Sequence, residues 1–190
     1  MSRRGVYPGS FNPPTTAHLA ISEAARHQFA LTEVVWTVSQ VALAKEHVSR
    51  PRLDHRIDVL GAVAARIDWL SVATTQDQLL VDIARGYDVL IMGADKWHQI
   101  QDPVFYDHDP DRRDAAMAAL PTLAVAPRPP LDVPAELVLD VPEWAAYVSS
   151  TSARTGERSM MLDEAQVFDA ATGAWTDVGR YDAWLEQHWS

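Results

Sequence analysis

The spacing of hydrophobic positions changes repeatedly along the chain, and each change marks an element. Short apolar runs at residues 5–7, 33–38, 69–73, 87–92, 122–126 and 137–141 read as strands. Ala17, Ala20, Ile21, Ala24, Ala25 and Phe29 fall at helical spacing, so the first strand is followed by a helix over 16–29 with a threonine as N-cap. Leu53, Ile57, Leu60, Ala64 and Ile67 define a second amphipathic helix. Residues 76–85 predict a short helix, and the hydroxyls of Ser149, Ser150 and Thr151 begin another. Residues 41–51 read as a loop, and 101–113, rich in Asp, Pro and His, as a surface loop. Residues 160–190 form a tail that ends in a helix through Tyr181, Trp184, Leu185 and His188.

Strands that alternate with helices imply an α/β fold, a parallel sheet covered on both faces. Ligands of such sheets sit at the C-terminal strand ends, near the reversal of strand order. The chemistry is therefore expected in residues 8–18, 93–97 and 149–154.

Composition narrows the class. With 190 residues, 47% hydrophobic and 22% charged, the chain suits one globular domain with a full core. No apolar run is long enough to cross a bilayer, and no apolar signal segment precedes Val6, so a cytoplasmic protein without membrane partners is expected. The absence of cysteine excludes disulfides, thiolate metal sites and a cysteine nucleophile. A formal charge of −10 repels nucleic acid but leaves room for a small polyanion held by a few converging cations and helix N-termini.

Two segments carry candidate chemistry. In Gly9-Ser10-Phe11-Asn12-Pro13-Pro14-Thr15-Thr16-Ala17-His18, the glycine permits close backbone approach and the following helix offers unpaired N–H groups to phosphate. His18 falls in the first turn, where it can donate to phosphate oxygens as charge builds. A plain strand–turn–helix with a surface histidine is the competing reading. In Ser149-Ser150-Thr151-Ser152-Ala153-Arg154, capping hydroxyls precede a guanidinium whose fork suits phosphate, or else form a simple cap with a solvated arginine.

Together, in this order and at this separation, the two segments resemble the signatures of the HIGH-type nucleotidyltransferase superfamily. The Gly93-Ala94-Asp95 strand end, the length and the alternation are similar to its nicotinate or nicotinamide mononucleotide adenylyltransferase branch. The resemblance runs from Val6 to Arg154. It implies a Rossmann-like nucleotidyltransferase domain over residues 1–158 and a small C-terminal extension, 159–190, packed on the same domain. It also implies transfer of AMP from ATP to the mononucleotide, with release of pyrophosphate.

The resemblance further implies roles. His18 contacts the triphosphate and stabilises the transition state, Thr15 takes the place of the signature's first histidine, and Arg154 holds the outgoing pyrophosphate. Ser150 and Thr151 lie near the phosphates, and Gly9, Ser10 and Phe11 line the nucleotide cleft with backbone groups. Asp95 accepts from a ribose hydroxyl, and Lys45 meets the acceptor phosphate. Mg²⁺ arrives with ATP and keeps most of its waters, so no resident metal site is expected.

Three departures stand in the sequence. Ala17 replaces the signature glycine before the histidine, and overpacking by its methyl would cost roughly 1–3 kcal/mol. The usual P-H-K context of Lys45 is missing, and the pyridine-recognition segment is not evident at 72–78. Thr15 keeps open a sister phosphopantetheine adenylyltransferase or cytidylyltransferase, and Ala17 a catalytically weak nucleotide-binding protein of the same fold.

Other clusters have two readings each. Asp102 to Asp114 is a solvated loop or a cation site. His47, Arg50, Arg52, His55 and Arg56 form a solvated helix start or a phosphate contact. Trp97 stacks on a base or pyridine ring, or fills the core, whereas Trp36 reads as core. Trp175, Trp184 and Trp189 pack the tail on the body or make a homo-oligomer contact.

Overall fold

The computed structural model describes residues 2–40 and 51–188. Five strands form one parallel sheet: β1 (Arg4–Pro8), β2 (Glu33–Ser39), β3 (Leu70–Thr75), β4 (Val89–Gly93) and β5 (Thr122–Ala126), in the order β3-β2-β1-β4-β5. The chain moves outward from β1 to β3, then returns to pair β4 on the other side of β1. The reversal opens a crevice above the C-terminal ends of β1 and β4.

Alternation along the strands feeds two cores. Tyr7, Trp36, Val89, Ile91 and Ala124 meet α1 (Thr16–Gln28) and α2 (Leu53–Ala64) on one face. Val6, Leu90, Met92 and Val125 meet α3 (Leu80–Ile83) and α4 (Ala94–Gln99) on the other. Trp36 is fully buried, as its apolar strand predicts, and its indole N–H donates to Ser22 Oγ at 2.8 Å. That bond satisfies the polar atom the core would otherwise strand.

Several elements differ from the sequence expectation. Residues 101–113 are not an irregular loop. A 3-10 turn spans Pro103–Tyr106, and α5 runs over Pro110–Ala118. Asp102 and Asp109 cap these elements, Asp109 accepting from the amides of Asp111 and Arg112, and each cap is followed by proline at the first helical position. Asp107 pairs with Arg112 and Asp114 with Arg113, so the acidic run is occupied with caps and ion pairs.

The expected strand at 137–141 is a 3-10 turn, Ala135–Leu137, followed by a single bridge from Val138 to Val125. Gln28 takes the place of a strand partner: its amide donates to the Val138 carbonyl at 3.2 Å and accepts from the Asp140 amide at 3.0 Å. The helix expected over 76–85 is reduced to α3, because Asp77 and Gln76 tie the preceding residues to Ser39 and Gln40 at the end of β2.

After α6 (Ser150–Arg154) come α7 (Asp163–Thr172) and α8 (Val178–His188). Met161, Ala165, Trp175 and Tyr181 pack against Val59 of α2 and Ala153 of α6. Trp184 stacks in the same cluster beside Tyr181, and Trp189 lies outside the described residues. Among the described residues no helix is long and apolar enough to cross a membrane.

Candidate active site

The site grows from the loop between β1 and α1. The Gly9 amide donates to the Thr37 carbonyl of β2 at 3.0 Å, fixing the start of the loop to the sheet. Phe11 takes a φ of 44°, a left-handed backbone that costs a non-glycine residue roughly 1–3 kcal/mol. Its ring compensates: it is buried, stacked on Trp36 at 4.8 Å and edge-on to Tyr7 at 5.7 Å. Phe11 is thus the floor beneath the loop. A Cβ on Gly9 would lie 3.1 Å from that ring, so glycine lets the loop close onto its floor.

Thr15 caps α1, and the His18 ring folds back to it. The Thr15 amide donates to His18 Nδ1 at 2.9 Å, with the Thr15 hydroxyl 2.8 Å from the same nitrogen. A ring nitrogen that accepts from an amide carries no proton, so the neutral imidazole has its hydrogen on Nε2. Burial first, and then the positive charge of Arg128, lower the His18 pKa to about 4. The side chain lining the cleft is therefore a neutral N–H donor at ordinary pH.

A titration consequence follows. An unfolded histidine binds its proton near pH 6.5, whereas folded His18 does so only near 4. Between those values the unfolded state takes up a proton the folded state refuses, so stability falls as pH falls. We expect about 2 kcal/mol to be lost from this group between pH 7.5 and 5, and a His18→Gln variant to lack that increment. Urea midpoints of both proteins at the two pH values check it. Parallel pH dependences would show that His18 does not carry the shift.

The second segment closes over the first. Ser149 caps α6, accepting from the Ser152 amide at 3.0 Å. The Ser150 hydroxyl donates to the Pro13 carbonyl at 2.8 Å. Arg154 donates to the Asn12 carbonyl and, at 3.2 Å, to Thr151 Oγ1. The C-terminal segment adds two clasps: Trp175 Nε1 donates to Asn12 Oδ1 at 2.7 Å, and the Leu162 amide to the Pro14 carbonyl at 3.1 Å.

These parts surround a cleft of about 820 Å³ at the sheet reversal, a size that takes a nucleotide. Gly9, Ser10, Thr15, Ala17, His18, Asp95, Ser150 and Thr151 all line it. Three expected residues stand elsewhere. Phe11 lies under the loop, and Trp97 packs against the core face built by Val6, Leu90 and Met92. Arg154 reaches the loop through Asn12 and is not among the described residues that line the cleft. Lys45, His47 and Arg50 lie outside the described residues.

Arg128 and Thr37 also line the cleft with no site reading from the sequence, and Arg56 lines it as one member of the basic stretch that has a phosphate-contact reading. Arg128 follows β5 and approaches Asp95 at 3.8 Å; its place just past a strand end was the available signal. Thr37 hides in an apolar strand. Arg56 lies in the first turn of α2, and its neighbours in the basic stretch go different ways: Arg52 pairs with Asp54, and His55 Nδ1 lies 2.6 Å from the Tyr181 hydroxyl. Among the described residues, no group of three or more His, Cys, Asp or Glu could hold a metal ion.

A doubly anchored loop, a helix start and a neutral imidazole thus meet at the reversal of a parallel sheet. Residues 6–156 match the cytidylyltransferase-like family, and the chain belongs to that family. A relative from Salinibacter ruber, named "Probable nicotinate-nucleotide adenylyltransferase", is 40% identical over 114 residues, covering 50% of this chain and 58% of its own length. One from Methylorubrum extorquens with the same name is 30% identical over 183 residues, covering 80% of this chain and 99% of its own. The chain therefore spans little more than half of the first relative and nearly all of the second. The fold is shared with Plasmodium falciparum nicotinic acid mononucleotide adenylyltransferase complexed with NaAD, at a TM-score of 0.56 and 12% identity over 100% of this chain and 97% of that one.

Proposed function

We propose that the chain is an adenylyltransferase that moves AMP from ATP to nicotinate mononucleotide, or its nicotinamide counterpart, and releases pyrophosphate. The observation that carries this reading is the tautomer of His18. Its Nδ1 is engaged by the Thr15 amide, which leaves Nε2–H as the donor of a side chain in the cleft wall. The names of the two relatives supply the acceptor.

An oxygen of the acceptor's phosphate attacks the α-phosphorus of ATP. A new P–O bond forms while the bridging bond to the β-phosphate breaks, and the electron pair leaves with pyrophosphate. Such transfer needs alignment and charge stabilisation rather than an enzyme nucleophile. His18 donates to the phosphate oxygen on which charge grows, without having to lose or gain a proton. The first turn of α1 presents its free amides to the same phosphates. Arg154 holds the loop through Asn12 and donates to Thr151 Oγ1, and it remains the expected contact of the leaving pyrophosphate, with Ser150 and Thr151 near the phosphates. Mg²⁺ enters as part of the ATP substrate and offsets charge on the phosphates. Asp95, at the start of α4 beside Arg128, accepts from a ribose hydroxyl. Lys45 remains the expected contact for the acceptor phosphate, and the cytoplasm, where ATP and mononucleotides meet, the place of action.

Pyrophosphate release measured against a panel of acceptors and nucleoside triphosphates tests the reading. Turnover is expected with ATP and nicotinate or nicotinamide mononucleotide. Turnover only with phosphopantetheine, or only with CTP, would move the chain to a sister activity. Tight ATP binding with no pyrophosphate from any acceptor would make it a nucleotide-binding protein instead.

A further inference from the structure

The C-terminal segment takes no part in the mechanism above, yet it touches the loop between β1 and α1 and the start of α1 at four places. Thr15 bridges Met161, the Leu162 amide donates to the Pro14 carbonyl at 3.1 Å, and the Thr16 hydroxyl donates to the Met160 carbonyl at 3.4 Å. On the C-terminal side these three use main chain. The fourth depends on a side chain: Trp175 Nε1 donates to Asn12 Oδ1 at 2.7 Å.

The loop needs such anchors. Pro13 and Pro14 have no N–H to give, so this stretch is held through its oxygens. The Asn12 carbonyl accepts from Arg154, and the Pro13 carbonyl from Ser150. Asn12 is thus gripped twice, by Arg154 on its main chain and by Trp175 on its side chain. The residue before it, Phe11, has a left-handed backbone, which persists only where surrounding contacts over-determine it.

Trp175 is itself fixed from the other side. It is 5% exposed, its amide donates to Asp169 at 2.8 Å, and its ring stands edge-on to Phe168 at 5.8 Å. A phenylalanine would fill much of this space with no polar demand, so the indole N–H is what tryptophan adds. An anchored donor, and an acceptor on the residue that also receives Arg154, make a link from the C-terminal segment to the loop. Three residues past Asn12, Thr15 begins the cap that aims His18.

Building on the adenylyltransferase reading, we propose that Trp175 is a positioning residue: through Asn12 its indole N–H sets the loop so that His18 and Arg154 face one triphosphate. The competing role is a core filler whose N–H only needs an acceptor. A filler changes stability, whereas a positioning link changes turnover beyond what stability explains.

Trp175→Phe is expected to lower kcat about 10- to 100-fold, the scale of a misplacement of about 1 Å. ATP affinity by calorimetry should change less than about threefold. Asn12→Ala removes the same bond from its other end and should lose a similar factor. Both act through one contact, so the double variant should be no slower than the slower single variant. Trp184→Phe thins the same cluster where its ring stacks on Tyr181 and His188, and should lower the urea midpoint while kcat stays within about threefold. Four results would overturn the proposal: unchanged kcat in Trp175→Phe, equal losses of turnover and ATP binding, losses that multiply in the double variant, or a matching kcat loss in Trp184→Phe.

A second arm needs no substrate. Hydrogen exchange of the Thr15 amide, which donates to His18 Nδ1, is expected to quicken at least about tenfold in Trp175→Phe, with the β1 amides unchanged. No change at Thr15, or equal quickening along β1, would overturn the link. If wild type turns over neither mononucleotide, the adenylyltransferase reading falls, and this arm decides Trp175 by itself.

Discussion

Replacing His18 with alanine is expected to lower kcat by on the order of 10²–10³-fold while ATP affinity changes little. The argument is electrostatic. Nε2–H is pre-aimed by the bond between the Thr15 amide and Nδ1, so no reorganisation is needed when charge grows on a phosphate oxygen. The ground state gains less, because its charge is already spread over oxygens met by helix amides. The imidazole is neutral because burial and Arg128 keep it so, and the activity it supports should persist well below pH 6.5. Steady-state rates with ATP calorimetry provide the check. Comparable losses in turnover and in ATP binding would reduce His18 to a binding contact and take the proposed mechanism with it.

Removing the carboxylate of Asp169 is expected to cost about 3–5 kcal/mol of stability, although this residue is remote from the cleft in sequence and is no ligand group. Asp169 is completely buried. It accepts from the Trp175 amide at 2.8 Å, the Thr176 amide at 3.0 Å and the Thr176 hydroxyl at 2.7 Å, and Arg158 Nε approaches at 3.2 Å. In Asp169→Ala two amides and a hydroxyl lose their acceptor inside the protein. Arg158, half-exposed, returns to water and accounts for little of the loss. Asp169→Asn keeps the shape and part of the accepting capacity, so its loss should be intermediate. Urea midpoints decide the point, and a loss below about 1 kcal/mol in the alanine variant would contradict the account. Because Trp175 also holds Asn12, whose carbonyl receives Arg154, loosening this turn should disturb the loop before the sheet melts.

Local chemistry explains which elements were legible. A run such as Val89–Gly93 is apolar throughout because both faces of its strand are covered, and α1 announces itself by spacing and cap. The caps Asp102 and Asp109, each followed by proline, were equally local signals, yet the polarity of the surrounding run masked them. The second helix is harder. Its sequence stripe Leu53, Ile57, Leu60, Ala64 marks one contact face, but the buried set is His55, Arg56, Val59, Leu60 and Val63. The sheet covers one side of α2 and the tail, more than a hundred residues later, covers another. Periodicity records a single partner well and two partners poorly.

The amino-acid sequence by itself determined the layered α/β arrangement, the loop from β1 to α1 with His18 in the first turn of its helix, and the serine–threonine start of α6, because these follow from contacts within a few residues. Tertiary structure alone decided the rest. It turned Phe11 into a floor, sent Arg56 inward while Arg52 faces water, gave Gln28 the role of a strand partner, and tied Trp175 to Asn12. Those outcomes depend on which distant surface a side chain meets, and desolvation by that surface is a property of the folded chain that no neighbouring residue encodes.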